Sequence, residues 1–161
     1  MSLDEFKKGV MEMYQGEVIG EVATNRLLAF YDDPLRRYKI AVLLQVETET
    51  KARLRPVIMG LGLDPTELEE SRQAGHAFAE RLAGLDWTAA MARLRDGVKP
   101  YVDRYIEVET QAPTEYRETA HSMVVHEQSF YRFAELEAAG DTTNSLDDVV
   151  AQLTYPLPRP R

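Results

Sequence analysis

The stretch that decides the fold runs from residue 11 to residue 56 and reads MEMYQGEVIGEVATNRLLAFYDDPLRRYKIAVLLQVETETKARLRP. Asp32-Asp33-Pro34 interrupts it near the middle, where aspartate is a good helix cap and proline is tolerated at the first helical position. The two flanking segments are therefore predicted to be helices joined by a tight turn. A connection this short makes the two helices antiparallel neighbours.

Each of these two helices carries a glutamate within its apolar stripe. At about 100° per residue, one face of the first helix collects Val10, Met13, Tyr14, Glu17, Thr24, Leu28 and Tyr31. One face of the second helix collects Ile40, Leu43, Leu44, Glu47, Leu54, Val57 and Ile58. A buried carboxylate must be hydrogen-bonded, paired or metal-bound, because an isolated charge there costs several kcal/mol. Glu17 and Glu47 are thus the first candidate functional residues.

The rest of the chain continues the helical pattern, and no stretch has a clear strand pattern. We expect helices over 3–31, 34–59, 66–82, 87–111, 114–139 and 145–153. Pro100 should kink or divide the third long helix, and the proline-rich end TYPLPRPR should either be disordered or dock on a neighbour. The pattern predicts an all-α four-helix bundle over 1–140, made of two helical hairpins with a crossover helix between long helices two and three. A short helix and a tail follow over 141–161.

Composition limits the classes of function. A chain of 161 residues with 44% apolar residues is long enough for one domain with a substantial core. The absence of cysteine excludes disulfides, thiolate zinc sites, iron–sulfur clusters and cysteine nucleophiles. A net charge of −8 disfavours nucleic acid and membrane partners. The N-terminus MSLDEFKKGV lacks the apolar core of a signal peptide, and no apolar run approaches the roughly 20 residues that span a bilayer, so a cytoplasmic location is expected.

The fourth long helix adds a third inward acid. Its predicted stripe contains Tyr116, Ala120, Met123, Val124, Glu127, Phe130, Tyr131, Ala134 and Ala138. Glu17 precedes the first turn by about as many residues as Glu47 follows it, and Glu127 follows the second turn at a similar distance. The three acids are therefore expected at one level. Helical bundles build two-iron and two-manganese sites from such a layer, with a Glu from each of two helices and Glu-x-x-His from each of the others.

On these residues the chain resembles the ferritin-like superfamily, and its rubrerythrin branch more than the storage cages. Residues 16–54 resemble the first hairpin of that family, and residues 120–133, AHSMVVHEQSFYRF, resemble its fourth helix. The resemblance covers the four long helices and rests on spacing and helix layout. It implies that Glu17 is the first-helix ligand, that Glu47 and Glu127 are the acids of the two motifs, and that the metal is Fe or Mn.

Half of the ligand set that the resemblance implies is missing. Where the family has a histidine three residues after each motif acid, this chain has Thr50 and Phe130. The third long helix offers no inward acid, because Leu94, Gly97 and Val98 stand near the expected level. We therefore predict a degenerate metal site.

Other residues near the layer offer substitute ligands, or a substitute for the metal itself. Glu21 lies one turn after the first-helix acid on the same face and is a candidate ligand. His126 is a further candidate, but it is expected to point to the flank of its helix, roughly 100° from the neighbouring acid. Lys51 lies close to the second-helix stripe and is a candidate counter-ion that would neutralise the acids without a metal.

Several functions stay open from the sequence. The first is a ferritin-like protein with a degenerate site, and the second is a mono- or dinuclear Fe or Mn protein that acts as an oxidase or in metal handling. The third is a non-catalytic protein that acts through self-association or a partner. The second apolar side of helix one, with Ile19 and Phe30, favours a homo-oligomer, above all a dimer. A small organic ligand beside Pro100 is a further alternative.

Overall fold

The computed structural model describes residues 3–160 and is built from helices. The elements are α1 (Leu3–Leu27), α2 (Pro34–Gly60), α3 (Glu69–Leu82), α4 (Trp87–Thr110), a 3₁₀ turn (Thr114–Tyr116), α5 (Arg117–Ala139) and α6 (Asp147–Val150). No strand occurs among these residues, which confirms the all-α prediction. Within the same range, no helix combines the length and the apolar character needed to cross a bilayer.

The helices begin and end at local capping signals. The Asp33 carboxylate accepts a hydrogen bond from the backbone N–H of Arg36 at 2.8 Å, and Pro34 occupies the first helical position. Asp86 caps α4 in the same way. Gly140 ends α5 with a φ of 82°, in the left-handed region that glycine adopts without strain. Residues recognisable in the sequence therefore mark the turn of the first hairpin and the two outer ends of the second.

Four helices differ by more than one residue from their predicted extents. The first helix ends at Leu27 rather than at residue 31, α3 begins at Glu69 rather than at residue 66, α5 begins at Arg117 after a 3₁₀ turn, and the last helix covers only residues 147–150. α4 continues through Pro100 without being divided. Because α4 packs more extensively against α5 than any other two elements do, this packing outweighs the local cost of a proline inside a helix.

The C-terminal tail docks on α2 of its own chain. The Tyr38 hydroxyl donates to the Leu157 carbonyl at 3.3 Å, and Gln45 Nε2 donates to the Tyr155 carbonyl at 2.6 Å. The described part of the tail, up to residue 160, is thus held by side chains of the second helix.

Two apolar clusters fill the interior. Cluster 1 includes Ala23, Leu27, Ile40, Leu43, Met91, Leu94, Phe130 and Phe133. Cluster 2 includes Phe6, Met13, Leu54, Ile58, Tyr105, Val108, Ala120 and Met123. α1 and α5 therefore run from cluster 2 to cluster 1, whereas α2 and α4 run the opposite way. The segment over 61–86, which contains α3, returns the chain between the parallel helices α2 and α4, and α3 packs against α1.

A layer of buried polar side chains separates the two clusters. Its members are Glu17, Glu47, Thr50, Lys51, His126 and Glu127. Each of them lies on its helix between residues of cluster 1 and residues of cluster 2. The fold thus carries polar groups from three distant parts of the chain into the middle of an apolar interior.

Candidate metal centre

Three potential metal ligands from three helices converge in the polar layer. A carboxylate oxygen of Glu17, a carboxylate oxygen of Glu47 and a ring nitrogen of His126 all lie within 4.8 Å of one another. His126 Nε2 lies 3.3 Å from Glu17 Oε2 and 3.5 Å from Glu47 Oε2. All three residues are buried. One imidazole and two carboxylates therefore face a common point that water reaches poorly.

The atoms that face this point lack hydrogen-bond partners. Both carboxylate oxygens of Glu17 and Nε2 of His126 are shielded from solvent, and with the acids ionised they make no hydrogen bond. The contact of 3.3 Å between Nε2 and Glu17 Oε2 is close, but it does not have hydrogen-bond geometry. Buried polar groups are nearly always paired. These unpaired oxygen and nitrogen atoms could therefore bind a cation or a proton.

The electrostatic environment opposes ionisation of the acids. Burial raises the pKa of Glu17 well above its ordinary value, the charges of Glu47 and Glu127 raise it further, and so does a hydrogen bond that protonated Glu17 can share with Glu47, against a smaller opposing effect of Arg53. Burial and the charge of Glu47 likewise raise the pKa of Glu127. These carboxyl groups become jointly ionised at low cost only if positive charge is added among them.

Thr50 determines which nitrogen of His126 faces the acids. Its Oγ1 donates the hydroxyl hydrogen to the Val46 carbonyl at 2.6 Å. Toward His126 Nδ1, at 3.4 Å, the same oxygen therefore acts as an acceptor. Neutral His126 then carries its proton on Nδ1 and presents the lone pair of Nε2 to Glu17 and Glu47. Metal-binding histidines are typically oriented by a hydrogen bond of this kind at the other ring nitrogen.

The position of His126 corrects the sequence-based expectation that its side chain points away from the layer. The residue is fully buried, and its ring lies beside Glu17 of α1 and beside Glu47 and Thr50 of α2. Thr50 and Phe130, which stand where the resemblance predicts histidines, both contact its ring, and the ring centroids of His126 and Phe130 lie 5.0 Å apart. Thr50 and Phe130, which replace the missing histidines, thus hold the ring of His126, which lies one helical turn before Phe130.

Glu21 and Lys51 pair with each other beside the ligand group. Lys51 Nζ forms a short ion pair with Glu21 and a second one with Glu67 at 2.6 Å, and Thr48 Oγ1 donates to Glu21 at 2.7 Å. Among the described residues, Lys51 therefore pairs with Glu21, one of the candidate ligands, and not with the three inward acids. Lys51 lies one turn after Glu47 on α2. Its side chain points toward the segment before α3, where it meets Glu67. Glu21, predicted as a candidate ligand, is already paired with the ammonium group of Lys51.

Glu127 lies next to the ligand group. Among the described residues, the set of ligand atoms within 4.8 Å of one another contains Glu17, Glu47 and His126 but not Glu127. Glu127 and Glu47 instead both line a cavity of about 80 Å³. Direct ligation by Glu127 stays a prediction.

A fourth buried acid, Glu137, is not predicted by the sequence analysis, and it is fully paired. Lys39 Nζ and Ser145 Oγ donate short hydrogen bonds to its Oε1, and Trp87 Nε1 donates to its Oε2 at 2.6 Å. Glu137 lies four residues after Phe133, on a second buried side of α5 outside the predicted stripe. That spacing is the signal by which the sequence could have indicated it.

Comparisons of the chain with known protein families, with curated proteins and with solved structures find no match. The ferritin-like resemblance therefore stays a prediction from the sequence. A function for this chain has to be argued from the geometry of the site.

Proposed function

We propose that this chain is a ferritin-like metalloprotein in which Glu17, Glu47 and His126 bind one divalent transition-metal ion. The observation that carries the proposal is the set of buried ligand atoms without partners, namely both oxygens of Glu17 and Nε2 of His126. Burying two carboxylates together without a cation is costly. A divalent ion supplies the missing charge and the missing partners at once.

The directions of the long helices support the ferritin-like layout. α1 and α2 form one antiparallel hairpin, and α4 and α5 form another. α2 and α4 are parallel, which requires a long crossover between them, and residues 61–86 supply it. A four-helix bundle with one long crossover is the arrangement of ferritin-like folds, in which inward side chains of facing helices bind the metals.

The donor set favours a borderline metal such as Mn²⁺ or Fe²⁺. Carboxylates suit Mn, and imidazole suits Fe and Zn, whereas thiolate ligands are absent because the chain has no cysteine. Three protein ligands leave coordination positions open. A bound ion would supply a Lewis acid or a one-electron redox centre at this point, and Thr50 and Phe130 would keep the imidazole oriented toward it.

The residues of α4 beside the acids and the pairing of Glu21 favour one ion rather than two. α4 contributes Leu94, Gly97 and Val98 to the wall beside the acids and no carboxylate. Glu21, which would extend the acid cluster, is bound by Lys51. A second cation would therefore lack half of its ligands.

Titration with Mn²⁺, followed by the electron paramagnetic resonance signal of the free ion, tests the proposal. We expect one bound ion per chain and a loss of affinity of more than about tenfold in Glu17→Gln and in His126→Gln, as for removal of a ligand or its support. The matched controls are Glu21→Gln, one turn along α1, and His121→Gln. The latter replaces an exposed histidine of α5 that pairs with Glu109. Both controls should retain the affinity of the wild type.

Two results would contradict the proposal. One is the absence of Mn²⁺ binding by a wild-type protein whose circular dichroism shows it to be folded. The other is binding that survives Glu17→Gln and His126→Gln but is lost in Glu21→Gln, which would move the ion to the neighbouring acid pair.

The predicted homodimer stays a prediction. The second apolar face of α1, which motivates it, is partly covered within the chain: a side-chain carbon at Gly75 of α3 would lie 2.6 Å from the Ile19 carbonyl oxygen. Light scattering of the purified protein tests the prediction, because a dimer mass would support it and a monomer mass would contradict it.

A further inference from the structure

A cavity beside the proposed metal site has an apolar wall that contains two acids. Its volume is about 80 Å³. The apolar lining residues include Ile19, Ala23, Leu94, Val98 and Phe130. Glu47 and Glu127 line the cavity as well, whereas none of the described lysines and arginines does. The cavity therefore combines a hydrocarbon surface with two acidic groups that have no basic residue in the same wall.

Glu127 is a buried acid without a partner. Its exposed fraction is 7%, and no group among residues 3–160 donates a hydrogen bond to it or forms an ion pair with it. Burial raises the pKa of Glu127, and the charge of Glu47 raises it further. Since a buried carboxylate normally has a donor or a cation beside it, Glu127 is a ready acceptor for a positively charged donor that enters the cavity.

Gly20 allows Glu47 to lie in the same wall. A side-chain carbon at position 20 would lie 2.1 Å from Glu47 Oε1 and 2.5 Å from Glu47 Oε2. With glycine there, the carboxylate of α2 lies directly against α1. Glu47 thus belongs to both the ligand group and the cavity wall, and its charge acts on Glu127. A positive charge in the cavity therefore compensates two acids at once.

The size and the wall of the cavity limit the chemistry of its occupant. An apolar cavity of about 150 Å³ accommodates the six carbons of benzene, so a space of about 80 Å³ holds about three heavy atoms. A metal ion does not match the wall, because Mn²⁺ prefers about six oxygen or nitrogen ligands. An alkylammonium ion matches both parts of it. The N–H groups donate to carboxylates, and the carbons contact apolar side chains.

A surface groove leads toward the cavity. Gly16, Ile19 and Tyr101 line the cavity and also line a groove bordered by Leu68 and Ser71. A small molecule thus has a route from solvent between α1 and α4, past the ring of Tyr101.

We propose that this cavity binds a small primary amine as its ammonium ion, with about two or three heavy atoms, as in methylammonium and ethylammonium. The ammonium group donates hydrogen bonds to Glu127 and Glu47, and the carbons lie against Ala23, Leu94 and Val98. The positive charge compensates the acids of the wall, which a neutral molecule of the same size does not do. Binding requires no metal, whereas a role of the amine as a substrate of the metal site rests on the proposed function.

Methyl NMR of the metal-free, full-length protein at pH 8 tests this inference. On titration with ethylammonium chloride we expect saturable shifts at the methyl groups of Ile19, Ala23, Leu94 and Val98. Ethanol has the same number of heavy atoms but no charge, so it should bind at least about tenfold more weakly. Cyclopentylammonium has the charge but is too large, and it should give no saturable shift. Sodium chloride at the same concentration controls for ionic strength.

Glu127→Gln tests the role of the acid. The substitution keeps the shape of the side chain and removes its charge, so it should weaken ethylammonium binding by more than about tenfold. The matched control is Glu135→Gln, which replaces an acid of the same helix that pairs with Arg132. This control should bind ethylammonium as the wild type does.

An enlarged cavity tests the size limit. Leu94→Ala should admit cyclopentylammonium, which has as many heavy atoms as benzene, with saturable shifts at Ile19 and Val98. Leu82→Ala is the matched control, because Leu82 is buried but does not line the cavity. It should not produce these shifts.

The outcomes separate this inference from the proposed function. The inference is overturned if ethylammonium gives no saturable shift in the wild type, if ethanol binds as tightly, if Glu127→Gln leaves ethylammonium binding unchanged, or if Leu94→Ala and Leu82→Ala respond alike. A second Mn²⁺ ion per chain that is lost in Glu127→Gln would also overturn it, because the cavity would then be a metal site. Mn²⁺ binding without ethylammonium binding overturns only the cavity assignment. Binding of ethylammonium without Mn²⁺ binding overturns only the metal site.

Discussion

Glu17 and Glu137 are equally buried acids in one interior, yet their surroundings are opposite. Their exposed fractions are 0% and 1%. Glu137 is surrounded by donors from Lys39, Trp87 and Ser145, whereas both oxygens of Glu17 lack hydrogen-bond partners. Burial alone therefore does not mark a functional acid. The absence of compensating donors does, since a purely structural site would satisfy the group.

The same helix supplies the decisive neighbour in both places. Near its start, α2 brings the cation of Lys39 to Glu137. Two turns further on, it brings the carboxylate of Glu47 toward Glu17, where burial and then this like charge raise the pKa of Glu17. We attribute a structural role to the first site and a ligand-binding role to the second.

The largest expected effect tests the structural half of this comparison. Lys39→Met leaves Glu137 buried without its cation, and breaking a buried pair in this way should reduce the free energy of unfolding by about 3–5 kcal/mol. Urea denaturation measures it. Adding Glu137→Leu to the same chain should restore much of the loss, and a cost of Lys39→Met below about 1 kcal/mol would show that the pair is not structural.

Matched substitutions at the two acids should have opposite signs. In the metal-free protein at pH 8, Glu17→Gln removes a buried acid that must either hold an uncompensated charge or keep a proton that the unfolded chain releases, so it should raise the free energy of unfolding by about 1–3 kcal/mol. Glu137→Gln removes the charge that Lys39 compensates, so it should lower the free energy of unfolding by a similar amount. Thermal and urea melts of both variants provide the measurement, and equal signs would remove the distinction between the two sites.

The pH dependence of stability should show the difference without mutation. The pKa of Glu17 lies above its ordinary value of 4.5, so the folded metal-free protein keeps a proton that the unfolded chain releases. This contribution to stability is complete below pH 4.5 and is lost as pH rises through the raised pKa, at up to about 1.4 kcal/mol per pH unit for one proton. Urea melts from pH 5 to pH 8 should show this fall in the wild type. The fall should be weaker in Glu17→Gln and in protein saturated with Mn²⁺, and a wild-type stability that rises over this range would contradict the account.

The smallest expected effect is the contribution of Glu67 to stability. Unlike the contribution of Glu17, it is lost as the pH falls. A hydrogen bond from Lys51 lowers the pKa of Glu67, so its contribution is present above pH 4.5 and is lost as pH falls through the lowered pKa. Glu67→Gln should cost about 0.5–1 kcal/mol at pH 7 and nothing at pH 2. Equal costs at both pH values would mean that the contribution does not come from the ion pair.

The sequence predicts the features that depend on a single helix, namely the helix ends and the apolar stripes. Asp33-Pro34, Asp86 and Gly140 mark the start of α2, the start of α4 and the end of α5, because capping is a local interaction. The apolar stripes of α1 and α2 correctly place Glu17 and Glu47 in the interior. These features need no knowledge of the neighbouring helices.

The sequence fails where burial depends on a second neighbour. His126 and Glu137 lie on a side of α5 that residues of α2 reach, Thr50 at the first and Lys39 at the second, and the period of α5 alone does not reveal this cover. The partner of Lys51 is equally hidden, because Glu67 reaches it from the segment before α3. Both halves of the comparison between Glu17 and Glu137 therefore depend on contacts between distant segments.

Anomalous diffraction at the manganese absorption edge, from crystals grown with Mn²⁺, tests the central claim most directly. We predict one peak per chain, about 2.0–2.3 Å from a carboxylate oxygen of Glu17, from a carboxylate oxygen of Glu47 and from His126 Nε2. A map with no peak among these atoms, and with Nε2 of His126 instead hydrogen-bonded to Glu17, would contradict the claim.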